Sequence, residues 1–409
     1  MSAELAPSKY RMLRPIKELP HKLLGWYDVA RREMPWRETK EPYRIWLSET
    51  MLQQTQVETV KPYYYRFLER FPTVLTLAQA DLQEVLSLWA GLGYYRRAKH
   101  LHLAAQQVVK DCGGQFPRTP EGLRELPGVG RYTAAAVASI AFDFPAVVVD
   151  GNVMRVLSRL TGYEKDVAEA KNTEFFWELG ERIHQEMQGA GTRRHGDLNQ
   201  ALMELGATVC TPLPSRPRCG ECPVRAFCRA AAEGRQMELP VKGKKGETPV
   251  VRGVAVVVLR RKNKEAGSKK VREVEVLLGQ RAMGGLWEAM WEFPVVGEGN
   301  IKHKTSNTKR AATAARAMLK VLGMPAKSVR RAGSVIHQLT HRRFELEVAV
   351  VEVTTKTPRH QERGTTGKKM NMMNGYVAMR WVTWPGGEGL PMARIVGRVA
   401  EAAGMGRSE

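Results

Sequence analysis

Leu126-Pro-Gly-Val-Gly-Arg-Tyr-Thr-Ala134 interrupts a long helical pattern. Two glycines one residue apart allow a tight turn, and their backbone N–H groups can approach a phosphate closely. The run that follows, Thr133 to Ala141, is small and apolar enough to pack against a neighbouring helix. An ordinary connection between two helices would have the same local form, because short glycine motifs are weak evidence alone. On both sides, from His21 to about Ala232, apolar residues recur at three and four, the spacing of amphipathic helices. Pro42 suits a first helical turn. Thr55-Gln-Val-Glu58 and Asp81-Leu-Gln-Glu84 have the form of capping boxes, in which the first side chain accepts a backbone N–H and the Glu reaches back. Thr119-Pro120 is a cap followed by a first-turn proline.

The glycine turn has the form of a helix-hairpin-helix DNA-binding motif, and the charge balance is compatible with one. In 409 residues, Lys and Arg number 64 against 42 Asp and Glu, a net charge of +22. That surplus favours a polyanionic partner, either nucleic acid or an anionic membrane surface. A hydrophobic content of 43% excludes a wholly disordered chain. No apolar run approaches the ~18 residues of a spanning helix, so no membrane attachment is expected. Met1 to Pro20 is polar and basic, unlike a secretory signal, and reads as a loose tail.

Five cysteines in so long a chain do not form a disulfide scaffold. Cys210, Cys219, Cys222 and Cys228 have the spacing C-x8-C-x2-C-x5-C, which reads as a metal site in a reducing cytosol. Thiolates suit zinc or an iron–sulfur cluster. Structural zinc sites usually show paired C-x-x-C knuckles, and only Cys219 and Cys222 form one here. Cys112 is remote and reads as a lone core cysteine. Two carboxylates stand out. Glu49 lies in the otherwise uncharged Trp46-Leu-Ser-Glu-Thr-Met-Leu-Gln-Gln-Thr55, and Asp150 follows Val147-Val-Val and precedes Gly151-Asn152. Such a carboxylate can be an acid of raised pKa. Asp150 before Gly-Asn is equally a natural N-cap.

After Gly234 the composition changes. Residues 233–250 are rich in Lys, Gly and Glu and read as a linker. Gly253 to Leu259, Val274 to Leu278 and Phe344 to Val353 read as strands, and Ala311 to Leu322 as a helix. This C-terminal part is therefore α+β.

Several segments together resemble the MutY family of adenine DNA glycosylases. They are Pro42 to Val57, Trp89-Ala-Gly-Leu-Gly-Tyr-Tyr95, the turn at 126–134, Val149-Asp-Gly-Asn-Val-Met-Arg-Val-Leu-Ser-Arg159, and the four cysteines. The likeness runs in order from about residue 20 to 232. Beyond 250 it is carried by Gly285-Leu-Trp-Glu-Ala-Met-Trp-Glu-Phe-Pro294 and His337-Gln-Leu-Thr-His341. The resemblance implies a multidomain protein. An all-α helix-hairpin-helix glycosylase domain spans 21–232, with a 4Fe-4S cluster region at about 195–232. A linker at 233–250 and an α+β Nudix-like lesion-recognition domain at 251–405 follow it. The implied substrate is adenine mispaired with 8-oxoguanine, or with guanine, in double-stranded DNA.

By position, Glu49 resembles the acid that protonates adenine, and Asp150 the carboxylate that stabilises the positive sugar or attacks it. Asn152 and Tyr132 would support them. Gln54 and Tyr94 match residues that enter the base stack, with Leu52 close by. Trp36 and Arg37 match the wall of the adenine pocket, Gly128 and Gly130 the DNA-binding hairpin, and Thr340 and His341 the loop that reads 8-oxoguanine. Cys210, Cys219, Cys222 and Cys228 would ligate the cluster. The chemistry suits these residue types. Adenine leaves poorly until a ring nitrogen is protonated, a base inside a duplex must be flipped out, and an oxocarbenium-like sugar calls for a fixed negative charge. A monomer in the bacterial cytosol, associated with the nucleoid, is expected, with the linker open to repair or replication proteins.

The sequence also departs from the family. The first cysteine gap is longer than usual and holds Pro212, Pro214 and Pro217. The loop that usually reads Phe-Ser-His is Leu339-Thr340-His341. The catalytic Nudix pattern, ended on Gly323, puts Ala317, Lys320 and Val321 where its acids belong, so magnesium-dependent pyrophosphatase activity is not expected. Rival readings are an endonuclease III-type glycosylase and lyase, a mismatch thymine glycosylase, and a non-catalytic iron–sulfur DNA-binding protein. The lyase needs a lysine amine, and Tyr132 stands in its place.

Overall fold

The computed structural model describes residues 16–243, 246–262, 273–282, 286–297, 307–339, 342–354, 376–385 and 390–406. The chain divides into two compact units, one of Met1–Gln79 with His100–Lys245, the other of Ala80–Lys99 with Gly246–Glu409. The first unit is helical: α1 Leu19–Ala30, α2 Pro42–Leu52, α3 Val57–Arg70, α4 Val74–Gln79, α6 Arg96–Cys112 from His100 onward, α7 Pro120–Arg124, α8 Arg131–Phe142, α9 Gly151–Thr161, α10 Ala170–Gly189, α11 His195–Thr208 and the short α12 Arg229–Ala232. α5, Leu82–Trp89, belongs to the second unit.

Local signals explain most helix starts. Pro42 is the first residue of α2, behind Glu41, whose carboxylate accepts from Tyr43 N and Arg44 N at 3.0 and 2.8 Å. Asp81 caps α5 through Gln83 N at 2.7 Å, and Thr119 caps α7 through Gly122 N at 3.3 Å with Pro120 behind it. The Thr55 capping box is corrected by the structure. α3 starts at Val57 with Gln56 at its N-cap and no side-chain cap bond. Gln54 turns left-handed, with φ +57°, and Gln56 thereby takes the cap position.

The glycine turn is built as its spacing suggests. Gly128 has φ +76°, and a Cβ there would lie 2.6 Å from His100 Cβ, so no other residue fits. Gly130 is the N-cap of α8 and offers no side chain to its first N–H groups. From Thr133 to Ile140 every residue of α8 is buried, as expected of a small-residue helix packed on several sides. A Cβ on Gly196 would lie 2.5 Å from Ser139 O, so α11 crosses α8 at glycine range. A second apolar core joins α1, α9, α10 and α11 through Leu23, Tyr27, Leu157, Phe176, Leu179 and Leu202. Residues 235–241 continue onto the same unit. Arg159 Nε donates to Leu239 O at 2.9 Å, and Val167 N to Val241 O at 3.1 Å.

The second unit holds a mixed sheet of β1 Val250–Lys262, β2 Glu273–Arg281, β3 Trp291–Glu292, β4 Val295–Gly297, β5 Ala326–Gln338, β6 Arg343–Val353 and β7 Tyr376–Trp384. The order is β3-β2-β1-β6-β5, with β4 on β1 and β7 on β2. β1 and β6 run parallel from Val250↔Arg343 to Leu259↔Glu352, and the other pairs are antiparallel. Helix α13, Asn307–Leu322, lays Ala311, Ala314, Ala315, Met318 and Leu319 on Val254, Val256, Val258, Ala349 and Val351. Ala317 and Lys320 point to solvent, and α13 carries no carboxylate. Helix α14, Arg394–Ala402, packs against β5 and β1. Within this unit Lys99 pairs with Glu288 at 3.3 Å and Tyr95 Oη donates to Met392 O at 3.4 Å. No helix among the described residues is long and apolar enough to cross a membrane.

Candidate active site

A cleft of about 1080 Å³ opens in the first unit. It is lined by Trp36, Arg37, Glu49, Leu52 and Gln54 from the α2 side and by Gly128, Gly130 and Tyr132 from the glycine turn and α8. Asp150 and Asn152 from α9 complete it. The first unit therefore brings ten of the residues singled out in the sequence to one place. Tyr94 lies in the second unit, 38% exposed and left-handed at φ +51°. Among the described residues five non-glycine residues have positive φ, and Gln54 and Tyr94 are two of them. Such conformations cost about 1–3 kcal/mol each and concentrate at functional sites. Thr340 and His341 lie outside the described residues.

Glu49 sits on the inner face of α2 and is only 6% exposed. Tyr132 Oη donates to its Oε2 at 2.8 Å and also lies 3.3 Å from Met203 Sδ. Burial raises the Glu49 carboxyl to about 7; the Tyr132 bond opposes this, the Asp150 charge adds to it, and Arg37 pulls it down. Asp150 is better supplied with donors. Its Oδ1 accepts from Val153 N at 2.7 Å and caps α9, and its Oδ2 accepts from Asn152 Nδ2 at 2.8 Å. Burial raises its carboxyl, and those donors with the Arg155 charge pull it back. The N-cap and active-site readings of Asp150 are thus compatible in one geometry.

Asn152 has its orientation dictated. Arg155 Nη2, which can only donate, holds Asn152 Oδ1 at 2.8 Å, so the amide nitrogen faces Asp150. The same guanidinium donates to Gly206 O at 2.7 Å and, through Nε, to Cys210 O at 2.8 Å. A Cβ on Gly206 would lie 2.6 Å from Asn152 Cβ, which is why α11 carries glycine there.

Sequence reasoning missed Glu204. It is 1% exposed and lines the cleft. Arg32 holds it at 2.6 Å through Nε and 3.0 Å through Nη2, and Arg37 Nη2 at 2.9 Å. Burial would raise its carboxyl, but the two guanidinium groups win and lower it. The available signal was that used for Glu49, a carboxylate among apolar neighbours in Leu202-Met-Glu-Leu205. Trp36 meets Tyr64 edge-on with ring centres 5.3 Å apart, which fixes that wall. Among the described residues no lysine lines the cleft.

The cysteines gather beyond the end of α11. Cys210, Cys222 and Cys228 pack against the α9–α11 core, and all four are free thiols. Burial pushes the Cys222 thiol up to about 12, and the sulfurs of Cys210, Cys228 and Cys219 act on it in the same direction. Arg159 Nη1 donates to Cys210 Sγ at 3.2 Å and to Thr211 O at 2.9 Å. Among the described residues no three His, Cys, Asp or Glu side chains converge closely enough to hold one ion. Four thiols in this region are a soft donor set of the kind that suits zinc or an iron–sulfur cluster.

The profile of the HhH-GPD superfamily of base excision DNA repair proteins matches residues 47–182, and that of the NUDIX domain matches 270–402. The adenine DNA glycosylase of Homo sapiens is 37% identical over 396 residues, covering 86% of this chain and 70% of the relative. That of Rattus norvegicus is 37% identical over 410 residues, covering 88% and 73%. The chain belongs to the adenine DNA glycosylase family. A solved thermostable thymine-DNA glycosylase also aligns, with 29% identity, 53% of this chain, 97% of its own and a TM-score of 0.46. The adenine glycosylase relatives extend through the C-terminal half, as the family's two-part order of helical HhH-GPD domain and α+β Nudix domain requires.

Proposed function

We propose that this adenine DNA glycosylase hydrolyses the N-glycosidic bond of adenine opposite 8-oxoguanine, or guanine, in duplex DNA, with Glu49 as general acid and Asp150 as counter-charge to the sugar. The observation that carries the roles is two carboxylates, Glu49 buried and Asp150 half-buried, on one cleft in unequal surroundings. Glu49 keeps a proton near neutrality, while Asp150 has two N–H donors and Arg155 to favour its charge. Unequal environments divide acid from anion. With Oε2 taken by Tyr132, Oε1 of Glu49 is assigned the mobile proton. That proton passes to a ring nitrogen, the base departs with the C1′ bonding electrons, and Asp150 faces the resulting cation. Water then adds at C1′, and the Glu49 carboxylate takes up its proton. Trp36, Arg37 and Glu204 with Arg32 form the base pocket, and Asn152 and Tyr132 hold the two carboxylates in place. The absence of lysine from the described cleft lining supports a monofunctional reaction. The test is release of free adenine from an A:8-oxoguanine duplex without strand cleavage. Strand cleavage by the enzyme through a Schiff base would refute the monofunctional reading.

The domain boundaries that go with this function are 21–232 for the glycosylase, 233–250 for a linker whose first part, to Val241, lies on the glycosylase unit, and 251–405 for the lesion reader. Gln54, Leu52 and Tyr94 fill the stack when adenine is flipped out, and the uncapped start of α8 behind Gly128 and Gly130 takes a DNA phosphate. Cys210, Cys219, Cys222 and Cys228 hold a 4Fe-4S cluster, which supplies a rigid, charged anchor for the end of α11 when bound. Protein purified without oxygen should be brown and contain about four irons and four sulfides per chain. Colourless, active protein with one zinc would refute this.

The lesion-reading role rests on Thr340 and His341. 8-Oxoguanine differs from guanine by an oxygen at C8 and a hydrogen on N7, and a hydroxyl can accept from the one or donate to the other. Thr340→Val with His341→Ala should cost on the order of 1–3 kcal/mol of preference for A:8-oxoguanine over A:G. The ratio of adenine-release rates on the two duplexes measures it, and an unchanged ratio removes this loop from the lesion reader.

A further inference from the structure

Residues 146–149 lead into Asp150 outside any helix or strand, and all four are buried. Buried peptide groups without a ladder need other partners. Asn199 of α11 supplies two of them. Its Nδ2 donates to Ala146 O at 2.7 Å, and its Oδ1 accepts from Val148 N at 3.0 Å. The side-chain amide thus stands where a neighbouring strand's peptide would. Its orientation has no freedom, since Val148 N only donates and Ala146 O only accepts.

That orientation propagates. His184 Nε2 lies 3.2 Å from Asn199 Oδ1 and must therefore carry hydrogen. Burial, with the neighbouring His195, holds His184 down to about 3, so the ring is neutral and its Nδ1 is an acceptor. His195 Nδ1, 2.9 Å away, then donates, and Gln188 Nε2 donates to His195 Nε2 at 3.1 Å. Asn199 Nδ2 also donates to Ser139 Oγ at 2.9 Å, and Ser139 passes its own hydrogen to Ala135 O at 2.7 Å. Asp143 Oδ1 fixes His195 through its backbone N at 2.7 Å. Glycines let the helices close on this segment: a Cβ on Gly180 would lie 2.4 Å from Val147 Cγ1.

We propose that Asn199, backed by His184 and His195, is a positioning residue that sets the place of the Asp150 carboxylate by gripping Ala146 O and Val148 N in the segment that leads into it. The proposal rests on Asp150 as the group facing the sugar. Val153 N and Asn152 orient the carboxylate from the α9 side, and Asn199 fixes the lead-in from the other. A displacement of ~1 Å at a reacting group can cost about 10²-fold in rate.

The test is Asn199→Asp in the full chain, with single-turnover adenine release and DNA affinity measured across pH. The titratable groups facing this position are His184 on α10 and His195 on α11, with Asp143 after α8 and Arg193 acting on His195. At alkaline pH an aspartate cannot donate to Ala146 O, and the rate should fall about 10²-fold with affinity unchanged. As pH falls the new carboxyl takes a proton, its O–H can donate to Ala146 O, and the deficit relative to wild type should shrink. A wild-type rate at every pH, or a pH-independent loss matched by an equal loss of affinity, would overturn the proposal. If this variant does not fold, His184→Gln and His184→Leu decide. The Gln amide can still donate to Asn199 Oδ1 and should restore the rate that Leu loses, so equal rates would overturn it. Asp150→Asn is run alongside. If that variant is active, the Asp150 reading and this proposal both fall; if it is inactive while Asn199→Asp matches wild type, only the positioning role falls.

Discussion

The Glu49→Gln enzyme is expected to bind an A:8-oxoguanine duplex as tightly as wild type and to release almost no adenine. The amide fills the same space and can still accept from Tyr132, but it is not an acid and cannot protonate the base. The loss should be at least the ~10²–10⁴-fold typical of general acid catalysis. Single-turnover release near the wild-type rate would remove Glu49 from the mechanism. The wild-type rate should fall as pH rises through about 7, where the buried carboxyl gives up its proton. Stability follows the same titration. The folded-state value lies above the ordinary one, so this group's contribution is complete below the unfolded value near 4.5 and is lost as pH rises through about 7. That interval corresponds to about 3 kcal/mol. Glu49→Gln does not titrate, so its Tm relative to wild type should rise with pH; a constant difference from acid to alkaline pH would mean that Glu49 is not buried as a lone acid.

Asp150→Asn should be nearly as damaging, for a different reason. Asparagine is a competent N-cap, so α9 should still form. The negative charge facing the sugar is gone, and losing one such preorganised electrostatic contact costs about 10²–10³-fold. A stability cost should accompany it. Asn152 is pinned by Arg155 with its nitrogen toward Asp150, and Val153 N also needs an acceptor there. The amide has an NH2 where one carboxylate oxygen stood, so one of these donors faces another donor, at a cost of about 1–3 kcal/mol. Thermal unfolding with single-turnover kinetics separates the two effects. A variant that loses stability but keeps its rate would reduce Asp150 to a helix cap.

Individual residues show how far the sequence could be read. Pro42, Asp81 and Thr119 marked helix starts because each signal is local, carried by a side chain and the backbone within three residues of it. The box at Thr55 failed because a left-handed Gln54 moved the cap, and nothing in its four residues records that turn. Glu49 and Asp150 were legible because charge in an apolar stretch is costly and needs a reason. Glu204 carried the same signal and was passed over; only the arrival of Arg32 and Arg37 marks it as part of the cleft.

In the C-terminal half, β1, β2, β6 and α13 were visible as β-branched runs and helical spacing. β5 was not, since Ala326–Gln338 is an edge strand with most of its side chains exposed and so lacks alternation. The parallel pairing of β1 with β6 joins residues more than ninety positions apart and has no local signature. The sequence by itself determined the helical and α+β halves, the lone carboxylates, the glycine turn and the cysteine set. These depend on burial cost and on backbone geometry over a few residues. Only the tertiary structure decided how unequally the two carboxylates are surrounded, which way Asn152 and Asn199 face, and that two histidines stand behind Asn199. Those properties belong to donors and charges brought together from distant helices, and no stretch of chain contains them.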